Sequence, residues 1–275
     1  MNKLLFGTAG IPMNAKGTDT ASGIKAVRGL GLDVMELEFV QSVNISRENA
    51  PKIKSVAEKE GIVLTCHAPY YINLNAVEAA KLEASKKRLT KAAEVAWLCG
   101  GQSVAFHPGY YLGIEKEKVY ETVKKELKAV VAELKNIGCS IWVRPETTGK
   151  RTQFGDLNEI LKLSQELEQV MPCIDYAHMH ARESNNNSRK EFNEILVAVE
   201  RELGKETLRN MHIQFAGVNY SDKGELNHLV LKESDLNYEE MVASWKEFKI
   251  AGVAISESPN IEGDALLLKK LSEGF

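Results

Sequence analysis

The chain of 275 residues is predicted to form a single (β/α)8 barrel, or TIM barrel, and three observations predict this fold class. Strand-like and helix-like segments alternate from end to end, which favours parallel β/α units over hairpins. The length suits one barrel of about 250 residues. No long linker divides the chain, so residues 1–275 are predicted to form one domain. The third observation is that metal-capable side chains follow six of the predicted strands, because in a barrel all of these strand ends meet.

Eight strands are predicted from short apolar runs, and amphipathic segments between them are predicted to be helices. The strands are Leu4–Thr8, Asp33–Glu38, Ile62–His67, Ser103–His107, Ser140–Glu146, Met171–Asp175, Met211–Gln214 and Gly252–Ser256. The helices are Pro51–Glu60, Ala76–Cys99, Lys116–Ile137, Leu157–Leu167, Glu191–Leu203, Tyr238–Phe248 and Ala265–Leu271. A doubly wound sheet is the competing fold, but it would gather its ligands at one switch point and not at six strand ends.

The metal-capable side chains are histidines and carboxylates, which suit a divalent cation such as zinc. A single histidine at a strand end is more often a packed residue than a ligand, so the prediction depends on the joint pattern. The six residues that follow strands are His67, His107, Glu146, Asp175, His212 and Glu257, and His178 and His228 are also interpreted as lying at or just beyond strand ends. Their common location predicts a metal site at the mouth of the barrel.

Bulk properties exclude some functions and leave others open. A formal net charge of −3 gives no whole-molecule signal for nucleic-acid binding, so any basic surface must be local. The first apolar run is too short for a signal peptide, and no run of about 18 apolar residues predicts a membrane span. The four cysteines are widely spaced in apolar runs and are predicted to be reduced and buried, as in a cytoplasmic protein.

Six short motifs, in the same order along the chain, resemble those of the endonuclease IV family, which are zinc-dependent apurinic/apyrimidinic endonucleases of the xylose isomerase-like barrel superfamily. The resemblance runs nearly from end to end. The motifs are His67-Ala68-Pro69-Tyr70-Tyr71-Ile72-Asn73-Leu74, Phe106-His107-Pro108-Gly109, Glu146-Thr147-Thr148-Gly149, Cys173-Ile174-Asp175-Tyr176-Ala177-His178, Met211-His212 and Ser256-Glu257-Ser258-Pro259.

The resemblance implies a set of zinc ligands and an activity. His67 and His107 would hold a first ion and share Glu146 with a second, which Asp175, His212 and Glu257 would complete; His178 and His228 would hold a third. It also implies hydrolysis of DNA on the 5′ side of abasic sites through metal-bound hydroxide, with Glu146 as the catalytic carboxylate. Mn²⁺ is the alternative to Zn²⁺.

The chain departs from the family pattern near His228. The family has an aspartate two residues before this histidine, where the chain has Leu226, so Glu225 is the available carboxylate. Two histidines alone make a weak zinc site. Two firmly bound ions are therefore predicted, with a third that is weak, absent or dependent on Glu225.

The loops after the strands are predicted to contact substrate. Four tyrosines that follow the third and fourth strands, Tyr70, Tyr71, Tyr110 and Tyr111, could stack at a flipped-out abasic sugar. Lys150 and Arg151 could contact phosphates. Other basic residues predicted to lie on this rim are Lys16, Arg47, Arg182, Arg189, Lys190 and Lys223.

Two other functions fit the same residues. A sugar isomerase or epimerase on this barrel would hold one or two ions and use Glu146 and Glu257 as its acid–base pair. A non-catalytic homologue is the third possibility.

Beneath the site, Arg144 is predicted to form an internal ion pair with Glu36 or Glu38, because a buried arginine needs a partner.

Overall fold

The structure is a computed structural model that describes residues 2–274, and it contains twelve strands within that range. Eight of them correspond to the predicted strands, with ends that differ by a few residues. The strands are β1 (Leu4–Ala9), β2 (Val34–Glu38), β3 (Val63–His67), β4 (Ser103–Phe106), β5 (Gly109–Tyr110), β6 (Trp142–Pro145), β7 (Gln153–Phe154), β8 (Ile174–Asp175), β9 (Met211–Phe215), β10 (Gly217–Ser221), β11 (Gly224–Leu229) and β12 (Gly252–Ser256).

Nine α-helices lie between these strands in the described part of the chain, and two short 3₁₀ segments cover Lys205–Arg209 and Leu231–Glu233. All seven predicted helices are present. The helices are α1 (Thr20–Gly29), α2 (Ala50–Glu60), α3 (Ala79–Leu98), α4 (Lys116–Asn136), α5 (Leu157–Glu166), α6 (Tyr176–Glu183), α7 (Arg189–Leu203), α8 (Tyr238–Glu247) and α9 (Glu262–Glu273).

The chain folds into two compact units, each made of segments that are distant in the sequence. The first unit comprises Met1–Met35, Thr148–Arg151 and Cys173–Phe275, and the second comprises Glu36–Thr147 and Thr152–Pro172. The prediction of a single domain over residues 1–275 stays a prediction.

In the first unit, four strands pair in parallel in the order β1, β12, β9 and β8. The register places Thr8 opposite Ser256 and Asp175 opposite Gln214. Since parallel strands all end at the same edge of a sheet, this register determines which side chains lie level with one another at that edge.

In the second unit, β3, β4 and β6 also pair in parallel, with His67 opposite Ala105 and Phe106 opposite Pro145. These strands are buried along most of their length, as expected of strands covered by helices on one side and core on the other. The last residues of β4 and β6 lead directly into His107 and Glu146.

Local sequence explains where several helices begin and end. Asp156 and Glu159 form a reciprocal capping box at the start of α5, and Ser188 and Glu191 do the same for α7. Gly61 ends α2 with φ of 64°, a left-handed conformation that glycine adopts without strain.

Two elements correct the sequence interpretation. Helix α6 (Tyr176–Glu183) is not among the predicted helices. His228 does not follow a barrel strand; it lies on β11, which pairs with β10 as an antiparallel hairpin. Alternation of strand and helix predicted no hairpin there, although Asp222-Lys223-Gly224 is a turn signal.

Three further expectations concern membrane-spanning helices, the cysteines and Arg144. No helix in the described residues is long and apolar enough to cross a membrane. All four cysteines are free and buried, as predicted. Arg144 is buried and donates to the Pro172 carbonyl at 2.8 Å, and Glu36 accepts from the Thr65 hydroxyl at 2.7 Å. An ion pair of Arg144 with Glu36 or Glu38 stays a prediction.

Candidate metal centres

A first cluster joins His67, His107 and Glu146 in the second unit. One ligand atom from each lies within 4.8 Å of the others. Glu146 is fully buried, and each of its carboxylate oxygens faces a different histidine. Oε2 lies 3.1 Å from Nε2 of His67, and Oε1 lies 3.1 Å from Nε2 of His107. The three residues follow or end three neighbouring strands, so the fold brings together the set predicted for the first ion.

The orientation of His67 indicates why this cluster suits a cation. Its Nδ1 donates to the Ala68 carbonyl at 2.7 Å, which leaves the lone pair of a neutral ring on Nε2. That lone pair faces a Glu146 oxygen at 3.1 Å. Two electron-rich atoms are held this close only when a positive charge, either a proton or a metal ion, lies between them.

Glu38, the last residue of β2, is an acidic group beside this cluster that the sequence interpretation did not include in the site. Burial raises the pKa of its carboxyl to about 8; attraction to His67 opposes this effect, while repulsion from Glu36 and Glu146 adds to it. Glu38 also ends a strand, so the rule used for the other strand ends would have found it.

Three tyrosines predicted to bind substrate are exposed in this unit: Tyr70 by 58%, Tyr71 by 65% and Tyr110 by 41%. The ring of Tyr70 lies 5.5 Å from that of His67 and 6.3 Å from that of His107, measured between centroids. Tyr111 differs from the other three because it is buried and donates its hydroxyl to Glu159.

A second cluster joins Asp175, His178 and His228 in the first unit, again with ligand atoms within 4.8 Å of one another. The rings of His178 and His228 lie 5.7 Å apart between centroids. His228 Nδ1 lies 3.2 Å from the Glu257 carbonyl, to which it can donate, and this leaves its Nε2 to face the cluster. His228 Nδ1 also lies 3.9 Å from Glu257 Oε2.

Asp175 is the N-cap residue of α6 and also belongs to the second cluster. Its Oδ1 accepts the backbone N–H of His178 at 2.6 Å, which is an N-cap bond. Its Oδ2 lies 3.8 Å from His178 Nδ1. The cap therefore fixes the position of the carboxylate relative to the imidazole one helical turn later.

Glu225 completes the second cluster. Its Oε2 lies 3.3 Å from His178 Nε2, and its Oε1 lies 3.5 Å from His228 Nε2. The pairing of β10 with β11 shifts at this point, since Asn219 and Tyr220 face Asn227 and Glu225. Leu226 is the extra residue of a β-bulge and is 60% exposed. The bulge turns Glu225 to the same side as His228.

The prediction that His212 and Glu257 complete a second ion with Asp175 stays a prediction. Among the described residues, neither group of metal-capable side chains contains His212 or Glu257. In the pairing of β8 with β9, Gln214 lies opposite Asp175, and His212 lies two residues before Gln214. Gln214 is fully buried and accepts from the Cys173 thiol at 3.1 Å.

Several basic residues predicted to lie on a substrate-facing rim have structural contacts instead. Arg182 is 5% exposed and donates to the Thr148 hydroxyl at 2.9 Å. Arg47 pairs with Glu94, and Arg189 pairs with Glu247 at 2.8 Å. Arg151 is exposed but also bonds the Arg182 carbonyl at 3.0 Å. Lys150 and Arg151, the two predicted phosphate contacts, are therefore both exposed.

His180 is a buried histidine of α6 that lies outside the second cluster. Its Nδ1 lies 2.6 Å from the Asn185 carbonyl, and its Nε2 lies 3.0 Å from Asp235 Oδ1. These contacts connect α6 to the segment before α8, so His180 has a structural role.

The residues of both clusters fit divalent ions such as zinc. Each cluster supplies two imidazoles and at least one carboxylate, and in each cluster one histidine has its Nδ1 next to a backbone carbonyl. This is the arrangement by which proteins orient metal-binding histidines. The identity of the ion does not follow from these ligands alone.

Comparison with known proteins adds family information. A family model described as xylose isomerase-like TIM barrel matches residues 24–272. An uncharacterised protein of Methanocaldococcus jannaschii is 44% identical over 268 residues, which are 97% of this chain and 96% of that protein. A probable endonuclease 4 of Mycoplasma pneumoniae is 26% identical over 162 residues, 56% of this chain and about half (53%) of that protein.

Two solved structures have the same fold over nearly the whole chain. A D-tagatose 3-epimerase-like protein has a TM-score of 0.73 at 18% identity and covers 97% of this chain and 96% of its own. Endonuclease IV from Thermus thermophilus has a TM-score of 0.72 at 20% identity, with 98% and 100% covered. At these identities the likeness shows the fold alone, and it confirms the predicted fold class.

Proposed function

We propose, from the premise that the chain belongs to the xylose isomerase-like TIM barrel family, that it is a metal-dependent phosphodiesterase resembling endonuclease IV. In this proposal its substrate is DNA that contains abasic sites, and the bond hydrolysed lies on the 5′ side of the site. Zn²⁺ is the proposed ion, with Mn²⁺ as the alternative.

One observation carries this proposal: the chain has two histidine-rich clusters and not one. His67, His107 and Glu146 form the first, and His178 and His228 form the second together with Asp175 and Glu225. Isomerisation or epimerisation of a sugar could be served by one such cluster together with an acid–base pair. Ions bound at these residues would lower the pKa of a bound water and neutralise charge on a phosphate.

The residues of the chain would have separate tasks in this reaction. The two imidazoles of each cluster would bind an ion as neutral ligands, so that the carboxylates set the net charge of each site. Exposed Tyr70, 5.5 Å from His67 between ring centroids, would stack on a base or sugar beside the reacting phosphate. Lys150 and Arg151 would contact the DNA backbone through charge, without reading sequence.

A second function, isomerisation or epimerisation of a sugar, is favoured by Glu38. A carboxyl group whose pKa is raised to about 8 by burial carries a proton at neutral pH and could exchange it with a substrate carbon or oxygen. A phosphodiesterase with these two clusters does not need that proton.

The experiment that tests the proposal measures cleavage of a duplex with one abasic site, with and without a chelator, next to epimerase assays on ketohexoses. Cleavage that stops on chelation and returns with Zn²⁺ or Mn²⁺ supports the proposal. Glu58→Gln, an exposed carboxylate on α2, is the matched control for Glu146→Gln. Intact abasic duplex together with sugar turnover would overturn the proposal in favour of the second function.

The location of the protein is part of the proposal. Four free, buried cysteines favour a reducing compartment, and we place the protein in the cytoplasm on that basis. DNA with abasic sites is the proposed partner, and no membrane partner is proposed.

A further inference from the structure

Arg182 is a buried cation that belongs to neither metal cluster. Its Nη1 donates to the Thr148 carbonyl at 3.3 Å, the Thr148 hydroxyl at 2.9 Å and the Lys150 carbonyl at 2.6 Å. All three acceptors lie in Thr148–Arg151, which we call the clamp loop. The loop holds Arg182 in return, because Arg151 Nε donates to the Arg182 carbonyl at 3.0 Å. A buried guanidinium with this many acceptors fixes the backbone around it.

The clamp loop touches the second cluster through Gly149. The Gly149 carbonyl accepts the backbone N–H of Glu225 at 3.0 Å. The contact is so close that a Cβ on Gly149 would lie 2.7 Å from Glu225 Oε2 and 3.1 Å from His178 Cδ2. On the other side, a Cβ on Gly224 would lie 2.3 Å from the Gly149 carbonyl oxygen. The position of the loop backbone therefore limits where the Glu225 carboxylate can lie.

Helix α6 connects these contacts. His178 and Arg182 are four residues apart and share one face of the helix. The same helix face therefore carries one histidine of the cluster and the arginine that holds the loop against Glu225.

We infer that Arg182 is a positioning residue for the second cluster. By holding the clamp loop, it keeps Gly149 against Glu225 and so keeps the carboxylate between His178 and His228. Arg182 touches neither an ion nor a substrate in this role. The inference rests on the proposed function, because it assumes that the second cluster binds a divalent ion.

Calorimetric titration with Zn²⁺ alone, on the full chain without DNA, tests this role. Arg182→Met is expected to weaken one class of zinc sites by about 10–100-fold, the usual cost of losing a residue that orients a ligand, and to leave the other class unchanged. Arg201→Met is the matched control, because it removes an exposed arginine of the same unit whose guanidinium bonds Glu202 and not the clamp loop. Equal zinc affinities in Arg182→Met and the unmodified protein would overturn the inference.

A second variant disturbs the contact of Gly149 with Glu225 and leaves the charge of Arg182 in place. Gly149→Ala adds a Cβ against Glu225 and should weaken the same class of zinc sites, so the inference stays testable if Arg182→Met does not fold. Retained affinity in Gly149→Ala would contradict it.

A double-mutant cycle separates positioning from a general structural effect. In a Glu225→Gln background, Arg182→Met should cost no further zinc affinity, because its effect acts through Glu225. An equal loss in both backgrounds would mean that Arg182 only stabilises the fold. Failure of the proposed function itself looks different, since the abasic duplex would then stay intact although the unmodified protein binds zinc. Absence of zinc binding at both clusters of the unmodified protein would overturn the inference as well.

Discussion

Glu225 faces His178, with 3.3 Å between Glu225 Oε2 and His178 Nε2. Glu225 lies three residues before His228, whereas the endonuclease IV pattern has an aspartate two residues before this histidine. The β-bulge at Leu226 explains this contact. In a regular strand, residues three apart point to opposite faces, but one extra residue restores them to the same face. A changed spacing and a changed backbone therefore compensate each other in this hairpin.

The first prediction concerns Glu146, whose oxygens face the Nε2 atoms of both His67 and His107 at 3.1 Å. Glu146→Gln removes the negative charge and half of the acceptors while it preserves the shape of the side chain. We expect zinc affinity at the first cluster to fall by about 10–100-fold, and activity to fall in parallel. Metal content measured per folded chain, with circular dichroism as the control for folding, checks this. Full occupancy and full activity would contradict the assignment.

The second prediction is a pH dependence of stability in the metal-free protein. The pKa of Glu38 is about 8 in the folded chain, above its ordinary value near 4.5. Between these values the unfolded chain has lost the proton and the folded chain retains it. Stability must therefore fall as pH rises from about 4.5 to 8, by up to about 1.4 kcal/mol per pH unit.

Urea unfolding at several pH values, in the presence of a chelator, measures this slope. Glu38→Gln cannot ionise, so the difference between the two proteins isolates the contribution of Glu38 from those of the other carboxylates. Parallel stability profiles for the two proteins would show that Glu38 ionises normally.

The third prediction concerns DNA contact by Tyr70, which is 58% exposed and lies beside His67 and His107. Tyr70→Ala should weaken binding to an abasic duplex by about 1–3 kcal/mol, the typical value of one aromatic stack. Tyr70→Phe retains the ring and should bind as the unmodified protein does. Fluorescence anisotropy with abasic and undamaged duplexes makes the comparison, and equal affinity of Tyr70→Ala would exclude stacking.

The strands and most helices could be predicted from sequence because their signals are local. Apolar runs of five or six residues predict strands, and the residue after the run is then a strand end. This reasoning found His67, His107 and Glu146, which the structure brings together. Whether these residues bind metal stays a prediction.

The second cluster could be predicted only in part, because its geometry depends on long-range pairing. The level of His212 is set by the register of β9 against β8, which no local pattern contains. Helix α6 has only eight residues and follows a strand of two, so its 3.6-residue periodicity is too short to recognise. The side to which Glu225 points depends on the bulge, and so on the partner strand.

The last prediction tests the bulge directly by moving the carboxylate to the position at which the endonuclease IV pattern has its aspartate. Leu226 is 60% exposed, and an aspartate there would point into solvent as long as the bulge remains. The double variant Glu225→Ala/Leu226→Asp should therefore lose zinc affinity at the second cluster as fully as Glu225→Ala does, by at least about 10-fold. Leu226→Asp alone should retain that affinity, because Glu225 stays in place. Titration with Zn²⁺ compares the three variants with the unmodified chain. Recovery of zinc binding in the double variant would mean that the hairpin can return to a regular ladder, and that the bulge does not fix which residue faces His178.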